Sequence, residues 1–195
     1  MPRPKEFDPE QVIEEALETF WEHGYSATSV SDLLEEMGLN RGSLYGTFGD
    51  KKQLFLAVLD KYMAMRLKDC EAMLEAPGSA RAALRGMFEH VVSDCTCEKG
   101  RRGCLAAKAA MELAPHDKDV ANWFRTFHKR NVAMFANVIR RGQQQGEISK
   151  KLDPEAAGRF LLNSLAGLRL LGTTDPNAGE AREVVEMTLK VLELK

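Results

Sequence analysis

Apolar residues along this chain recur at three- and four-residue steps, and runs that alternate apolar with polar are scarce. Val12, Ile13, Ala16, Leu17 and Phe20 make a first stripe; Leu54, Phe55, Val58, Leu59, Tyr62 and Met65 make a second. Leu84, Met87, Phe88, Val91, Val92 and Cys95 follow, then a longer set from Val120 to Val138 that breaks at Asn131. Two C-terminal stripes close the chain, Phe160 to Leu171 and Val184 to Leu194. Each pattern is one face of an amphipathic helix, so the expected fold is all-α, with about nine helices.

Helix punctuation sets the boundaries. Asp8 before Pro9 reads as an N-cap with proline at the first helical position, and Gln11 is placed to reach back to the cap. Gly24 stops that helix. Thr28 or Ser29 caps a short helix ending at Gly38, and Asn40 caps a very short one ending near Phe48. Asp50 opens a long helix that Pro77-Gly78 ends, and Asp153-Pro154 repeats the opening device. Residues 96–103 and 173–179 are polar connections. The expected organisation is a small N-terminal three-helix unit, residues 1–48, followed by a larger helical domain, residues 49–195, with 49–76 as the connecting helix.

Charge and composition narrow the function. The 195 residues carry a formal net charge of −2, which excludes a histone-like polycation and confines any nucleic-acid affinity to a local surface. No apolar run reaches the roughly 18 residues of a membrane span, and residues 1–15 hold no apolar leader segment. A reduced, cytoplasmic setting with no membrane partner is expected for the four cysteines.

Residues 28–48 hold a helix, a tight turn through Gly38-Leu39-Asn40, and a second short helix. This is the layout of a helix-turn-helix, whose second helix enters the major groove with its N-terminal residues toward base edges. Leu44 and Phe48, four apart, anchor one face inward and leave Arg41, Gly42, Ser43, Tyr45 and Thr47 outward. Arg41 can fork onto guanine or phosphate, Ser43 and Thr47 can donate, and Tyr45 offers a ring for a thymine methyl. A helical hairpin with a purely structural role fits the same spacing. The arm before residue 8 carries Arg3 and Lys5, suited to a DNA backbone or minor groove, or else it is a disordered tail.

Ala16-Leu17, Phe20, Gly24-Tyr25, Thr28-Ser29-Val30, Gly38-Leu39, Leu44-Tyr45, Phe48, Lys51 and Leu54 together resemble the N-terminal signature of the tetracycline-repressor (TetR) family of transcription regulators. The resemblance spans about residues 8–59. It implies that Thr28, with Ser29 beside it, and Lys51 hold phosphates, and that Arg41, Gly42, Ser43 and Tyr45 face the groove. Thr47 departs from the family's frequent histidine before the phenylalanine. Residues 1–55 contain five basic and eleven acidic side chains, so few phosphates are neutralised and a shallow salt dependence follows.

A single short reading helix cannot deliver operator-level specificity, so a two-fold homodimer on a palindromic double-stranded operator is expected. Small residues set among leucines on the last two helices suit close pairing, and in the family those helices pair with their mates; the expected interface is Phe160, Ser164, Gly167, Leu168, Leu171, Val184, Met187 and Val191. An intramolecular core is the alternative use of the same stripes. The middle helices would enclose a small-molecule effector, with Met87, Phe88, Val91, Met111, Trp123, Phe127 and Met134 as walls and Lys108, Asn131 and Asn163 as polar hooks. In the family such a ligand shifts the connecting helix and releases the operator, so repression is the expected role.

Cys95, Cys97 and Cys104 flank a basic segment containing Lys99, Arg101 and Arg102, which favours a thiolate. Inert thiols, an oxidant or electrophile sensor with Cys104 attacking and Cys95 or Cys97 resolving, and a metal site completed by His90 or His116 all fit; the spacing matches no standard zinc pattern, so no metal is assigned. The Gly-Cys-Leu run at residues 103–105 resembles a branch of the family in which thiol sensing occurs. No phosphate-binding loop, dinucleotide fingerprint, H-E-x-x-H or G-x-S-x-G run is present, so neither a cofactor nor an enzyme is expected. A helical enzyme, or a binding module without DNA, is the rival reading.

Overall fold

A computed structural model describes residues 7–97, 100 and 102–193. Among them there are nine α-helices and no strand: α1 (Pro9–His23), α2 (Val30–Glu36), α3 (Arg41–Phe48), α4 (Lys51–Glu75), α5 (Ala80–Thr96), α6 (Leu105–Leu113), α7 (Lys118–Gln145), α8 (Pro154–Thr174) and α9 (Ala178–Lys190), with a 3-10 turn at Val191–Glu193. The all-α expectation is met. Arg3, Lys5, Lys99 and Arg101 lie outside the described residues.

The caps are those the sequence advertises. Asp8 accepts the Glu10 N–H at 3.0 Å, Asn40 the Ser43 N–H at 2.9 Å and Asp153 the Ala156 N–H at 2.7 Å. Ser29, not Thr28, caps α2: Ser29 and Asp32 exchange side-chain and backbone hydrogen bonds in a reciprocal box. Gln11 does not return to its cap; its amide donates to Glu15 one turn on, at 2.9 Å. Asn131, which interrupts the apolar stripe, lies within α7, and its amide donates to the Phe127 carbonyl at 2.9 Å along its own helix.

The chain divides into two compact units. Unit 1 comprises residues up to Arg66 together with Leu105–Val120; unit 2 comprises Leu67–Cys104 and Ala121 onward. The division falls inside α4, and α6 with the first turn of α7 groups with the N-terminal helices.

Unit 1 is built around an aromatic cluster between α1 and α4. Phe20 meets Phe55 edge-on at 4.8 Å, Tyr25 meets Phe55 at 4.9 Å, and Trp21 meets Tyr62 edge-on at 5.0 Å. In unit 2, α5 packs against α8 and α9, and its core contains Leu84, Met87, Phe88, Val91, Phe135, Ile139, Leu161, Leu165 and Leu189. Two helices close tightly at Gly158 of α8, where a Cβ would lie 2.8 Å from the Val132 carbonyl and 3.3 Å from the Ala136 nitrogen.

That contact reverses an ordinary rule. Glycine inside a helix normally gives way to alanine with a gain, and at Gly86 of α5, with nothing within 4 Å, Gly→Ala is expected to stabilise by about 0.5–1 kcal/mol. Gly158→Ala is expected to destabilise by about 1–3 kcal/mol, because the atoms it meets are backbone and cannot rotate aside. Thermal unfolding of the two variants measures both; the same sign in each would show that the α7–α8 approach is looser than described.

Candidate nucleic-acid interface

The second helix of the helix-turn-helix is α3. Leu44 is fully buried on its inner side, while Arg41, Gly42, Tyr45 and Gly46 are exposed and Ser43 and Thr47 are partly so. Eight residues with two glycines have little intrinsic helicity. The helix is held by the Asn40 cap, by Leu44, and by the Gly49 N–H returning to the Tyr45 carbonyl at 2.9 Å. The turn before it uses Gly38 at φ +58°, the left-handed conformation that a side chain disfavours.

Gly46 joins the outward residues that spacing alone suggested. It lies one turn after Gly42, and a Cβ there would meet nothing within 4 Å. The chain's own packing therefore does not require glycine at 46. The G-x-x-x-G spacing within α3 was the available signal.

Thr28 takes a different position from the expected phosphate contact. It is buried, at 1% exposure, and its hydroxyl donates to the Gly24 carbonyl at 2.6 Å, which ties the end of α1 to the start of α2. Ser29 is exposed at the α2 N-terminus with its side chain spent on the cap. Lys51 lies at the start of α4 with its ammonium 4.2 Å from the Tyr25 ring centroid, and partial burial draws its pKa downward despite Glu112 and Asp32.

Two other cations of unit 1 are neutralised. Lys52 pairs with Asp119 at 2.9 Å and Asp117 at 3.2 Å, and Lys61 with Glu10 and Glu14, both at 3.0 Å. The acidic excess counted in the sequence is thus partly consumed in pairs between α1 and α4.

A clamp that the sequence did not reveal holds the α1–α2 junction. Glu112 of α6 accepts the Ser26 N–H at 2.7 Å and the Tyr25 N–H at 3.2 Å, and Lys108 donates to the Trp21 carbonyl at 3.0 Å. One α6 carboxylate and one α6 ammonium thus satisfy backbone groups around the end of α1. Burial alone would raise the Glu112 carboxyl, but the Ser26 and Tyr25 donors and the Lys51 charge outweigh it, and its pKa lies below the ordinary 4.5.

The residues expected to line an effector chamber fall in both units. Met87, Phe88 and Val91 are fully buried in the unit 2 core, with Met134 packed against it. Trp123 and Phe127 stack on α7 with centroids 5.5 Å apart, Asn131 is bonded along its own helix, and Asn163 is exposed on α8. Lys108 and Met111 belong to α6 in unit 1: the lysine is in the clamp and the methionine is 68% exposed.

On α8 and α9 the expected interface residues separate by face. Phe160, Ser164, Gly167 and Leu171 follow one line along α8, and Val184 and Met187 another along α9, with Val191 just past its end. Phe160, Leu171, Val184 and Met187 are exposed, whereas Leu168 turns inward to the core. None of the four cysteines is in a disulfide: Cys95 is buried, Cys97 is exposed with its thiol toward the Asp94 carbonyl at 3.1 Å, and Cys104 is half-buried immediately before α6. No group of three or more His, Cys, Asp or Glu suited to a metal occurs among the described residues, and none of their helices is long and apolar enough to cross a membrane.

Two sequence profiles match the chain: "Bacterial regulatory proteins, tetR family" over residues 12–58, and "Tetracyclin repressor-like, C-terminal domain" over residues 53–188. Among relatives, the uncharacterized HTH-type transcriptional regulator YezE of Bacillus subtilis is 33% identical over 99% of this chain and 100% of its own length. The HTH-type transcriptional repressor ComR of Escherichia coli is 29% identical over 97% of this chain and 90% of its own. Among solved structures, a cysteine-substituted form of the TetR family regulator CifR, complexed with a 26bp double-strand operator DNA, superposes with a TM-score of 0.85 at 28% identity, covering 96% of this chain and 98% of that one.

Glu112→Ala is expected to cost about 1 kcal/mol near neutral pH, roughly 2–4 °C in Tm for a chain of this size. A carboxyl whose folded pKa is lowered stabilises fully above its unfolded value and loses that contribution as pH falls through the folded one. The Tm gap between variant and parent should therefore narrow below pH 4.5. A gap that stays constant into acid would remove the charge on Glu112 from the clamp.

Proposed function

The chain belongs to the tetR family of bacterial regulatory proteins, and from that membership we propose that it is a dimeric repressor released from a palindromic operator by a small-molecule effector. The observation that carries the reading is the outward face of α3. A helix poor in intrinsic stability is capped and anchored from behind, and it presents Arg41, Ser43, Tyr45 and Thr47 around two bare glycines. Nothing in the chain's packing calls for glycine at 46, so a close approach from outside accounts for it, and a DNA backbone or base edge is the partner that these donors fit. Arg3 and Lys5 would add backbone or minor-groove contacts, and Lys51 with the α2 start at Ser29 would add phosphates.

Pairing of subunits is supported by the apolar line on α8 and α9. Large exposed apolar side chains at Phe160, Leu171 and Met187 are unusual on a monomer, and the Ser164 and Gly167 positions between them permit close helix approach. Communication with the head is carried by chain connectivity: α4 passes from unit 2 into unit 1, and α6, which follows Cys104, grips the α1–α2 junction through Lys108 and Glu112. An effector that favours a different placement of the α4 segment in unit 2 releases DNA, and by reciprocity operator weakens the effector.

Genomic fragments retained by the purified protein identify the operator, and fluorescence anisotropy on that duplex then tests the assignments. Arg41→Ala is expected to lose about 1–3 kcal/mol of binding with the dimer intact. Met187→Glu is expected to give monomers by sedimentation and to lose operator binding with the helical fold intact. Unchanged affinity in the first, or a monomer that binds as tightly as the parent in the second, would refute the respective role.

A second reading is favoured by the place of Cys104. Its thiol lies directly before the helix that clamps the head, and CifR has been solved in cysteine-substituted forms. In this reading the Cys104 thiolate attacks a peroxide, giving a sulfenic acid and water, and Cys95 or Cys97 condenses with it to a disulfide and a second water. Peroxide is then expected to release the operator from the parent and not from Cys104→Ser; equal release from both would eliminate Cys104 as the sensor.

A further inference from the structure

Unit 2 contains a groove of about 430 Å³ between the last turns of α4 and the middle of α7. Its floor is apolar: Leu74 and Val138 are buried core side chains, and Met134 is a flexible thioether packed against them. Its wall carries an ion pair between Glu71 and Arg130 at 2.8 Å. The remaining charged residues are Glu75, exposed in the final turn of α4, and Arg141.

Arg141 is the anomaly. Its Nε and Nη2 are both shut off from solvent, and no acceptor among the described residues meets either one. The carboxylate whose charge couples to it, Glu147, is already engaged by the Ser79 hydroxyl at 2.8 Å and the Arg81 N–H at 3.1 Å. Glu71 is engaged by Arg130, and Asn137, which also lines the groove, accepts from Arg140 at 3.0 Å and offers its amide as a donor. A buried guanidinium edge without acceptors is costly. The two orphaned nitrogens are the pair whose N–H bonds run parallel along one edge, the fork that a carboxylate accepts with both oxygens.

We infer that this groove is a binding site for an amphipathic organic carboxylate, whose apolar body lies on Leu74, Met134 and Val138 and whose carboxylate is received by Arg141 once its side chain turns the unpaired Nε and Nη2 edge into the groove. The volume is within the range of small-molecule sites. The groove's two acidic and two basic side chains offset one another, so selectivity comes from the fork and the donor amide rather than from a net field. The site deepens the effector reading, on which its regulatory meaning rests: a ligand here touches α4 at residues 71–75, in the helix that continues into unit 1.

The test is calorimetric titration of the full-length protein, without DNA, using decanoate, 1-decanol and decylamine as probes of one chain length and three charges. Decanoate is expected to bind at least tenfold more tightly than the other two. Arg141→Met, which keeps the side chain's reach and removes the fork, is expected to weaken decanoate at least tenfold, and Arg141→Lys to weaken it by a smaller factor. No decanoate binding, equal binding of decanol, a preference for decylamine (which would make Glu75 the polar partner), or an Arg141→Met variant that binds as the parent would each overturn the site. Should Arg141→Met fail to fold by circular dichroism, the charge series on the parent and the Arg141→Lys variant decide. Operator release is read separately: decanoate that binds through Arg141 without releasing DNA upholds the site and removes the effector role.

Discussion

The burial of Leu44 is the constraint on which the reading surface depends. An eight-residue helix with glycine at two of its positions would not persist in water, since nucleation costs more than so few hydrogen bonds return. It persists because one leucine is sealed from solvent, Asn40 meets a free N–H at the start, and Gly49 closes the end. With the inner side so fixed, the outer side is released from any stability role. Its residues can then be chosen for what they touch, and two of them are as small as a residue can be.

Tertiary support extends this logic outward. The α1–α4 aromatics set the frame behind the helix-turn-helix, and α6 contributes a carboxylate and an ammonium to backbone groups at the α1–α2 junction. These contacts link residues nearly ninety positions apart in the chain. A displacement of α6 would therefore withdraw hydrogen-bond partners from the α1–α2 junction.

Local chemistry made the head legible, and long-range chemistry hid the rest. Asp8, Ser29, Asn40 and Asp153 announce their helices because a cap involves only residues two or three apart. Gly38 announces the turn because its conformation excludes side chains. Periodicity, in contrast, cannot tell a core wall from a pocket wall: Met87, Phe88 and Val91 have the spacing of either, and they are core. The same ambiguity placed Leu168 on the outer line of α8 when it belongs to the inner one. Thr28 could be read only as an exposed hydroxyl, since its acceptor is the carbonyl of a residue that ends the previous helix. Lys108 reads from the sequence as an effector hook and Glu112 gives no signal, because their partners are backbone groups of a distant segment.

The central claim is that paired α3 helices read DNA on one face of a duplex. Hydroxyl-radical footprinting of a genomic fragment retained by the protein tests it most directly. The account expects two protected patches related by a two-fold axis, their centres separated by a whole number of helical turns of about 10.5 base pairs. A single protected patch, or no protection above that on a random duplex, would contradict it.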